Sequence, residues 1–185
     1  MDPLPAGDQP TLRGAGLRLR PWRDDDADAV AAACQDPEIQ RWTTVPVPYR
    51  HEDAAFFVGP LARQTWAEGG ALFAVEGAGG LLGSMGLHHL VDGLGAVGYW
   101  TVPAARGRGV TSEALRVLSR WLLTERGAVR VELVAEPANT GSCRVAERAG
   151  FRREGVLRSR MLLRGERVDV AMYSLLPADL LPGVG

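Results

Sequence analysis

The sequence has few cysteines, no long apolar run and almost no net charge. Its two cysteines, Cys34 and Cys143, lie far apart, fit no zinc-binding spacing and do not form a disulfide framework. A reducing cytoplasm is therefore the simplest location. The longest apolar runs are much shorter than a membrane span, so we expect no membrane segment. The formal net charge of −1 excludes a general electrostatic attraction to nucleic acid.

The amino-terminal stretch MDPLPAGDQP has neither the basic region nor the apolar region of a signal peptide. With 46% hydrophobic and 23% charged residues, the 185-residue chain has the ordinary balance of a globular domain. A chain of this length holds one sizeable core. We expect a flexible lead-in at residues 1–14, a single domain at 15–177 and a carboxy-terminal tail at 178–185.

Alternating and amphipathic patterns predict both strands and helices. Segments of period two that end at glycine, proline or aspartate predict strands, and capped segments with apolar residues at helical spacing predict helices. The predicted strands cover residues 17–21, 71–76, 81–90, 96–102, 131–135, 153–163 and 166–176. The predicted helices open at Asp24, Asp36 and His51, after Gly109 and at Asn139. This order predicts a mixed α/β (α+β) sheet with helices on both of its faces.

The stretch YWTVPAARGRGVTSEAL, residues 99–115, joins an aromatic strand to an amphipathic helix through two arginines and two glycines. A P-loop would require a lysine and a hydroxyl after its last glycine, whereas Val110 follows Gly109 here. A Rossmann fingerprint would require three glycines in the first βα unit. The third interpretation is a loop whose backbone N–H groups wrap a pyrophosphate at a helix amino terminus. A surface loop with solvated arginines is the alternative.

Two longer stretches resemble the GNAT superfamily of acyl-coenzyme A-dependent N-acyltransferases. They read VGYWTVPAARGRGVTSEAL and VELVAEPANTGSCRVAERAGFRREG, and the similarity extends over residues 15–176. The chain is most similar to the branch that acetylates the amino termini of ribosomal proteins, the Rim type. The phosphate motif of the superfamily is Arg/Gln-x-x-Gly-x-Gly/Ala. Arg106 and Gly109 match this motif, whereas Thr111 departs from it at the last position.

The resemblance implies a GNAT fold, with acetyl-CoA as the co-substrate and no metal. Two parallel strands would splay apart around the pantetheine arm, with residues 99–102 on one side and residues 131–135 on the other. A backbone N–H of the strand would stabilise the oxyanion that forms when an amine attacks. The residues implied to bind CoA are Trp100, Thr101, Val102, Arg106, Gly107, Arg108, Gly109, Val110, Thr111, Asn139 and Ser142.

The resemblance also indicates which group protonates the leaving thiolate. Many superfamily members use a tyrosine, but Ala146 stands at that position in this chain. In the Rim-type branch, a serine three residues after the helix-opening asparagine is thought to do this work. Ser142 stands at that place after Asn139. Helix capping alone is the alternative role for this pair.

The general base has several candidates, because no glutamate stands at the start of the aromatic strand, where relatives often carry one. His88 and His89 end the preceding strand, and we expect His89 to act as the base and His88 to bind substrate. Adjacent strand residues point to opposite faces, so at most one histidine is expected to face the cleft. The other candidates are Glu132, Glu136, Asp169 and a water relay.

The segment QRWTT occupies the part of the chain that lines the acceptor cleft in relatives. Trp42 and Thr43 are therefore implied to bind the acceptor, with Trp42 either walling the acceptor or packing in the core. Cys143 follows Ser142 directly, and we expect it to be a buried small residue.

These observations predict a cytoplasmic enzyme that transfers an acetyl group directly from acetyl-CoA to a primary amine. The expected acceptor is a peptide or protein amino terminus, and the expected partners include no nucleic acid and no membrane. A homodimer is common in the family. The alternatives are an enzyme for small amines (polyamines, amino acids or aminoglycosides), a succinyl-CoA donor, and a CoA-binding module without activity.

Overall fold

The computed structural model describes residues 7–180, so residues 1–6 of the predicted lead-in and residues 181–185 of the predicted tail lie outside the described residues. No helix between residues 7 and 180 has the length and apolar character that a membrane crossing requires. The described elements are, in chain order, β1 (Leu12–Gly14), β2 (Leu17–Pro21), α1 (Ala27–Ala33), α2 (Pro37–Trp42), α3 (His51–Phe56), α4 (Ala62–Ala67), β3 (Ala71–Gly77), β4 (Gly80–Val91), β5 (Leu94–Thr101), α5 (Val110–Thr124), β6 (Arg130–Ala135), α6 (Thr140–Arg148), β7 (Arg152–Leu163) and β8 (Glu166–Leu175).

Local sequence signals determine where the helices near the site begin. The carboxylate of Asp36 accepts a hydrogen bond from the Ile39 N–H at 3.0 Å, and Pro37 stands at the first position of α2. Asn139 caps α6 in the same manner. Between α3 and α4, Phe57–Leu61 forms a π-helical segment that contains Pro60. At Pro60 the helical backbone therefore takes the form of a wider turn.

The strands form one sheet with the order β1-β2-β3-β4-β5-β6-β8-β7. Neighbouring strands run antiparallel, except that β5 and β6 run parallel. This parallel pair is joined only where residues 94–96 face residues 130–132. Beyond that point β5 stays paired with β4 as far as Thr101, and β6 stays paired with β8 as far as Ala135. The two strands therefore diverge, and the gap between them is named here the β5–β6 opening.

Two hydrophobic cores lie on opposite faces of the sheet. The core of the first face contains Leu115 and Leu118 of α5 and Ala146 of α6, and this is the α5–α6 face. The core of the second face contains residues from α1, α2, α3 and α4, and this is the α1–α4 face. Because side chains alternate along a strand, Tyr99 of β5 packs against the first core and Trp100 belongs to the second.

The sequence-based expectation differs from the structure at the amino terminus. The last three residues of the predicted lead-in form β1, which pairs antiparallel with residues 17–19 of β2. Gln9 also donates a hydrogen bond from Nε2 to the Leu72 carbonyl at 2.9 Å. A three-residue strand is too short to show an alternating pattern, so only its pairing with β2 reveals it.

Candidate active site

The β5–β6 opening connects the two faces of the sheet. β5 and β6 lose their mutual hydrogen bonds beyond Ala96 and Glu132, which leaves the backbone of the later β5 residues unpaired on the β6 side. Side chains on the α5–α6 face and side chains on the α1–α4 face can both reach a molecule that lies in this gap. The opening begins close to the strand residues that the resemblance implies for pantetheine binding, Trp100, Thr101 and Val102.

The RGRG loop presents backbone donors at the start of α5. Gly107 and Gly109 have φ angles of 74° and 78°, in the left-handed region that favours glycine. The first backbone hydrogen bond of the helix runs from the Glu113 N–H to the Gly109 carbonyl at 3.0 Å, so the N–H groups just before it are not used by the helix. A Cβ at either glycine would meet no atom within 4 Å, so the loop is open to a ligand. These features fit a pyrophosphate.

Two side chains near this loop have partners within the chain. The guanidinium of Arg106 forms an ion pair with Asp36, Nη2 to Oδ1 at 2.5 Å, and this contact lowers the pKa of the carboxyl group. Asp36 caps α2, the helix that leads into the QRWTT stretch (residues 40–44), so Arg106 connects the RGRG loop to the start of that helix. The Thr111 hydroxyl lies 2.6 Å from the Thr101 hydroxyl. The loop therefore offers a phosphate its backbone N–H groups and the exposed Arg108.

Ser142 has a hydroxyl partner that sequence reasoning missed. The Tyr99 hydroxyl lies 2.8 Å from Ser142 Oγ and 3.3 Å from the Ser142 carbonyl. Asn139 Oδ1 accepts a hydrogen bond from the Ser142 N–H at 3.0 Å, so the cap uses the backbone of Ser142 and leaves its hydroxyl for other contacts. Burial raises the pKa of Tyr99 to about 12. Ala146 is fully buried in the core.

The two adjacent histidines share one face of the sheet, contrary to the expectation that at most one would face the cleft. Leu87 pairs with Val97, but His89 pairs with Ala96, so β4 has a β-bulge at His88. Directly opposed residues of an antiparallel pair point the same way, so His89 lies on the face of Ala96. That face also bears Trp100, and it is the α1–α4 face. The bulge is not visible in the alternation of the sequence.

His88 packs over β5 at a glycine. A Cβ at Gly98 would overlap Nε2 of His88, so only glycine leaves room for the imidazole. Gly98 lies two residues from Ala96 along β5, which places His88 and His89 on the same side of the strand. Desolvation against β5 and the neighbouring His89 lower the pKa of His88, although the residue remains exposed. A lowered pKa favours the neutral imidazole, the form that can accept a proton.

Two of the carboxylates that are candidates for the general base already accept hydrogen bonds from other groups of the chain. Glu132 Oε1 accepts a hydrogen bond from Arg130 Nε at 2.6 Å. Asp169 Oδ1 accepts one from the Ser159 N–H at 2.8 Å, at a register shift of β7. Glu136 precedes α6 and its carbonyl accepts a hydrogen bond from the Asn139 N–H at 2.9 Å. Glu132, which alternates with Val131 and Leu133 of the first core, lies on the α1–α4 face together with the two histidines, but its carboxylate is paired with Arg130.

The acceptor segment, residues 40–44, lies at the end of α2. Trp42 is half-buried, and its Nε1 donates to Glu38 Oε2 at 2.8 Å while the Arg41 guanidinium lies 4.4 Å from its ring centroid. Neither hydrophobic core includes Trp42. The Thr43 hydroxyl donates to the Ile39 carbonyl at 2.6 Å. Trp42 therefore lies outside both cores, and its contact with the acceptor stays a prediction.

A second arginine, at the tip of the β7–β8 hairpin, binds the backbone of the same segment. Arg164 Nε donates to the Gln40 carbonyl at 3.1 Å, and its Nη2 donates to the carbonyls of Thr43 and Val45 at 2.9 and 2.7 Å. In the sequence, Arg164 stands only in the short connection between the predicted strands 153–163 and 166–176. Arg106 thus connects the start of α2 to the RGRG loop, and Arg164 connects the acceptor segment to the β7–β8 hairpin.

Both cysteines are free thiols. Cys34 is buried, and its burial raises the pKa of its thiol to about 11. Cys143 is half-buried, with Sγ 3.9 Å from the Glu136 carbonyl. Over the part of the chain that the structure describes, no three His, Cys, Asp or Glu side chains are grouped so that they could hold a metal ion.

Comparison with known proteins adds independent information. Residues 16–152 match the family described as "Acetyltransferase (GNAT) domain". The chain is 28% identical over 174 residues to the uncharacterized N-acetyltransferase p20 of Bacillus licheniformis, with 91% of this chain and 97% of that protein covered.

Two solved structures share the fold. One is RimL, a ribosomal L7/L12 alpha-N-protein acetyltransferase in complex with coenzyme A, with a TM-score of 0.82, 18% identity and 90% and 98% of the two chains covered. The other is RimJ of Mycobacterium smegmatis in complex with a CoA disulfide, with a TM-score of 0.81, 23% identity and 94% and 88% covered. At these identities the likeness concerns the fold.

Proposed function

The chain belongs to the GNAT acetyltransferase family, and we propose that it transfers an acetyl group from acetyl-CoA to the α-amino group of a peptide or protein. The observation that carries the proposal is the β5–β6 opening, which has the Ser142 hydroxyl on one face and the histidines and acceptor segment on the other. Residues 15–177 act as one catalytic domain in this proposal.

The residues of the RGRG loop and of the end of β5 would hold the CoA. The N–H groups from Gly107 to Thr111 would bind the pyrophosphate at the start of α5, where the helix dipole favours negative charge. The unpaired backbone of β5 beyond Ala96 would hydrogen-bond the amides of the pantetheine arm. Support for CoA also comes from RimL and RimJ, which share the fold and are solved with CoA or a CoA disulfide.

The proton-handling groups lie on opposite sides of the opening. When bound, acetyl-CoA supplies a thioester whose sulfur leaves with negative charge. Ser142 Oγ, on the α5–α6 face, donates its proton toward that sulfur. His89 and His88, on the α1–α4 face, accept the proton that the amine loses, directly or through water. The acceptor reaches the opening along Trp42 and Thr43.

The absence of a strong base favours an α-amino acceptor. An α-amino group titrates near pH 8, so part of it is neutral at physiological pH, whereas a lysine side chain titrates above about 10. The position opposite His89 is Ala96, and the carboxylates Glu132 and Asp169 are engaged in other contacts. Histidines suffice to collect a proton from an amine that is already partly neutral. RimL, which shares the fold, is named an alpha-N-protein acetyltransferase.

We expect peptides with a free amino terminus to be better substrates than amino-terminally blocked peptides that contain lysine. The ratio of their kcat/KM values, from release of the CoA thiol, measures this preference. A panel of peptides of one sequence, with the terminus free or blocked and with lysine or arginine inside, separates the two amines. Equal or faster turnover of the blocked lysine peptides would overturn the acceptor assignment.

We expect His89→Ala to slow turnover without abolishing it, and the double variant His88→Ala/His89→Ala to slow it more, because the two imidazoles share one face. A positioned general base contributes about 10²–10⁴-fold, which sets the upper limit of the effect. His51 is the third of the 3 histidines and pairs with Asp28 at 2.9 Å on the surface, so His51→Ala is the matched control. Unchanged turnover in the double variant would remove both histidines from the mechanism.

A further inference from the structure

Tyr99 is a partly buried polar residue that the proposed chemistry does not use. Its ring packs against the core of the α5–α6 face, and its hydroxyl contacts Ser142 Oγ at 2.8 Å and the Ser142 carbonyl at 3.3 Å. Tyr99 belongs to β5, and Ser142 belongs to the first turn of α6, which follows β6. The contact therefore links the elements on the two sides of the β5–β6 opening.

A serine hydroxyl without a partner is a poor proton donor for two reasons. Its proton rotates among three staggered positions, so only part of the time does it point at any one acceptor. In addition, the oxygen that gives up a proton must bear negative charge, and an alkoxide is a much stronger base than a thiolate. A hydrogen bond donated to the serine oxygen corrects both defects, because it occupies a lone pair and stabilises the charge.

We propose that Tyr99 is a positioning residue that donates its hydroxyl proton to Ser142 Oγ and thereby directs the Ser142 proton toward the leaving sulfur. This inference rests on the proposed function and deepens it. The alternative arrangement of the same atoms has Tyr99 donating to the Ser142 carbonyl, with the serine proton turned toward the tyrosine oxygen. Both arrangements contain the 2.8 Å contact, in which either oxygen can donate, and the first is favoured because 3.3 Å is long for an O–H···O hydrogen bond from Tyr99 to the carbonyl.

The protons balance in this arrangement. The amine nitrogen bonds to the acetyl carbon, and the carbon–sulfur bond breaks with its electron pair on the sulfur, which takes the Ser142 proton and becomes a thiol. Ser142 Oγ regains a proton from water, while Tyr99 keeps its own proton in the hydrogen bond to that oxygen. The proton that the amine loses on the other face of the sheet is released to water, so no oxidant, reductant or further reactant is required.

The kinetic test is a double-mutant cycle. We expect Tyr99→Phe, which keeps the ring, to lower kcat about tenfold, with unchanged acceptor KM and unchanged CoA Kd, since one hydrogen bond is lost. In a Ser142→Ala background the same change is expected to have no further effect, because Tyr99 acts only through that hydroxyl. Tyr49→Phe, which removes another buried tyrosine hydroxyl outside the site, is the matched control.

A spectroscopic test does not depend on activity. The chain has 3 tyrosines, so carbon-13 labelling at Cζ gives three resonances, and Tyr99→Phe identifies one of them. We expect Ser142→Ala to move the Tyr99 resonance, Ser142→Thr to restore it in part and Tyr49 to keep its position. If the chemical shift of the Tyr99 resonance is unchanged in Ser142→Ala, the two hydroxyls do not interact.

The outcomes separate this inference from the proposed function. If the wild-type protein acetylates no amine, the proposed function fails. If Ser142→Ala is slow but Tyr99→Phe turns over at the wild-type rate, the function stands and the role of Tyr99 is refuted. If Tyr99→Phe slows turnover by the same factor with and without Ser142, the tyrosine has a structural role only, and the inference is likewise refuted.

Discussion

Ser142→Ala is expected to lower kcat about 10²–10⁴-fold while CoA binds as in the wild type. The reason is that the variant removes the hydroxyl that we propose donates to the leaving sulfur and leaves the rest of the site in place. The cap of α6 survives, since Asn139 Oδ1 accepts from the backbone N–H of residue 142, which alanine retains. Steady-state kinetics of thiol release and calorimetric titration with CoA measure the two quantities.

The control for this variant is Ser119→Ala. Ser119 is a buried serine in the middle of α5, and its hydroxyl has no hydrogen-bond partner among the described residues. The Ser119→Ala variant should turn over substrate at the wild-type rate. Full turnover in Ser142→Ala would reduce Ser142 to a helix-capping residue. It would also indicate that water protonates the departing thiolate.

Gly109→Glu is expected to abolish the thermal stabilisation that CoA gives. A ligand that binds only the folded state adds RT ln(1 + [L]/Kd), about 2.7 kcal/mol when its concentration is a hundredfold above Kd. Glutamate at position 109 places a carboxylate where the phosphates would bind, and gives a side chain to a backbone with φ of 78°. Thermal unfolding with and without CoA measures the effect.

Gly127→Glu is the matched control for the backbone strain. Gly127 follows the other end of α5 and has φ of 72°, and a Cβ there, as at Gly109, would meet no atom within 4 Å. Both variants should lose stability without ligand by a similar amount, but only Gly109→Glu should lose the response to CoA. If the wild-type protein shows no rise in Tm at millimolar CoA, the acyl-CoA proposal is refuted.

The order of strands and helices could be predicted because it depends on patterns that are local in sequence. Alternation marked β2 to β8, and the glycines of the RGRG loop marked the start of α5. The strand β1 was not predicted because three residues are too few to show an alternating pattern. The bulge at His88 was not predicted because a single extra residue leaves the composition of β4 unchanged. The family resemblance extended these patterns to the CoA site.

The contacts that complete the site join residues that are remote in sequence, and no local pattern specifies them. Tyr99 and Ser142 are 43 residues apart, Arg106 and Asp36 are 70 apart, and Arg164 and Gln40 are 124 apart. Each pair forms because strand order and crossover connections bring distant elements together. The aromatic GYW segment was the one signal that could have directed attention to Tyr99, but it did not reveal its partner.

The most direct test of the central claim is to locate the acetyl group on a peptide that carries both a free α-amino group and one lysine. All 21 basic residues of the enzyme are arginine, so the enzyme itself offers no lysine that could confuse the measurement. After incubation with acetyl-CoA, fragmentation mass spectrometry is expected to find the acetyl group on the α-amino nitrogen, at a level far above that of an enzyme-free sample. Acetylation of the lysine alone, or no acetylation above the enzyme-free level, would contradict the account.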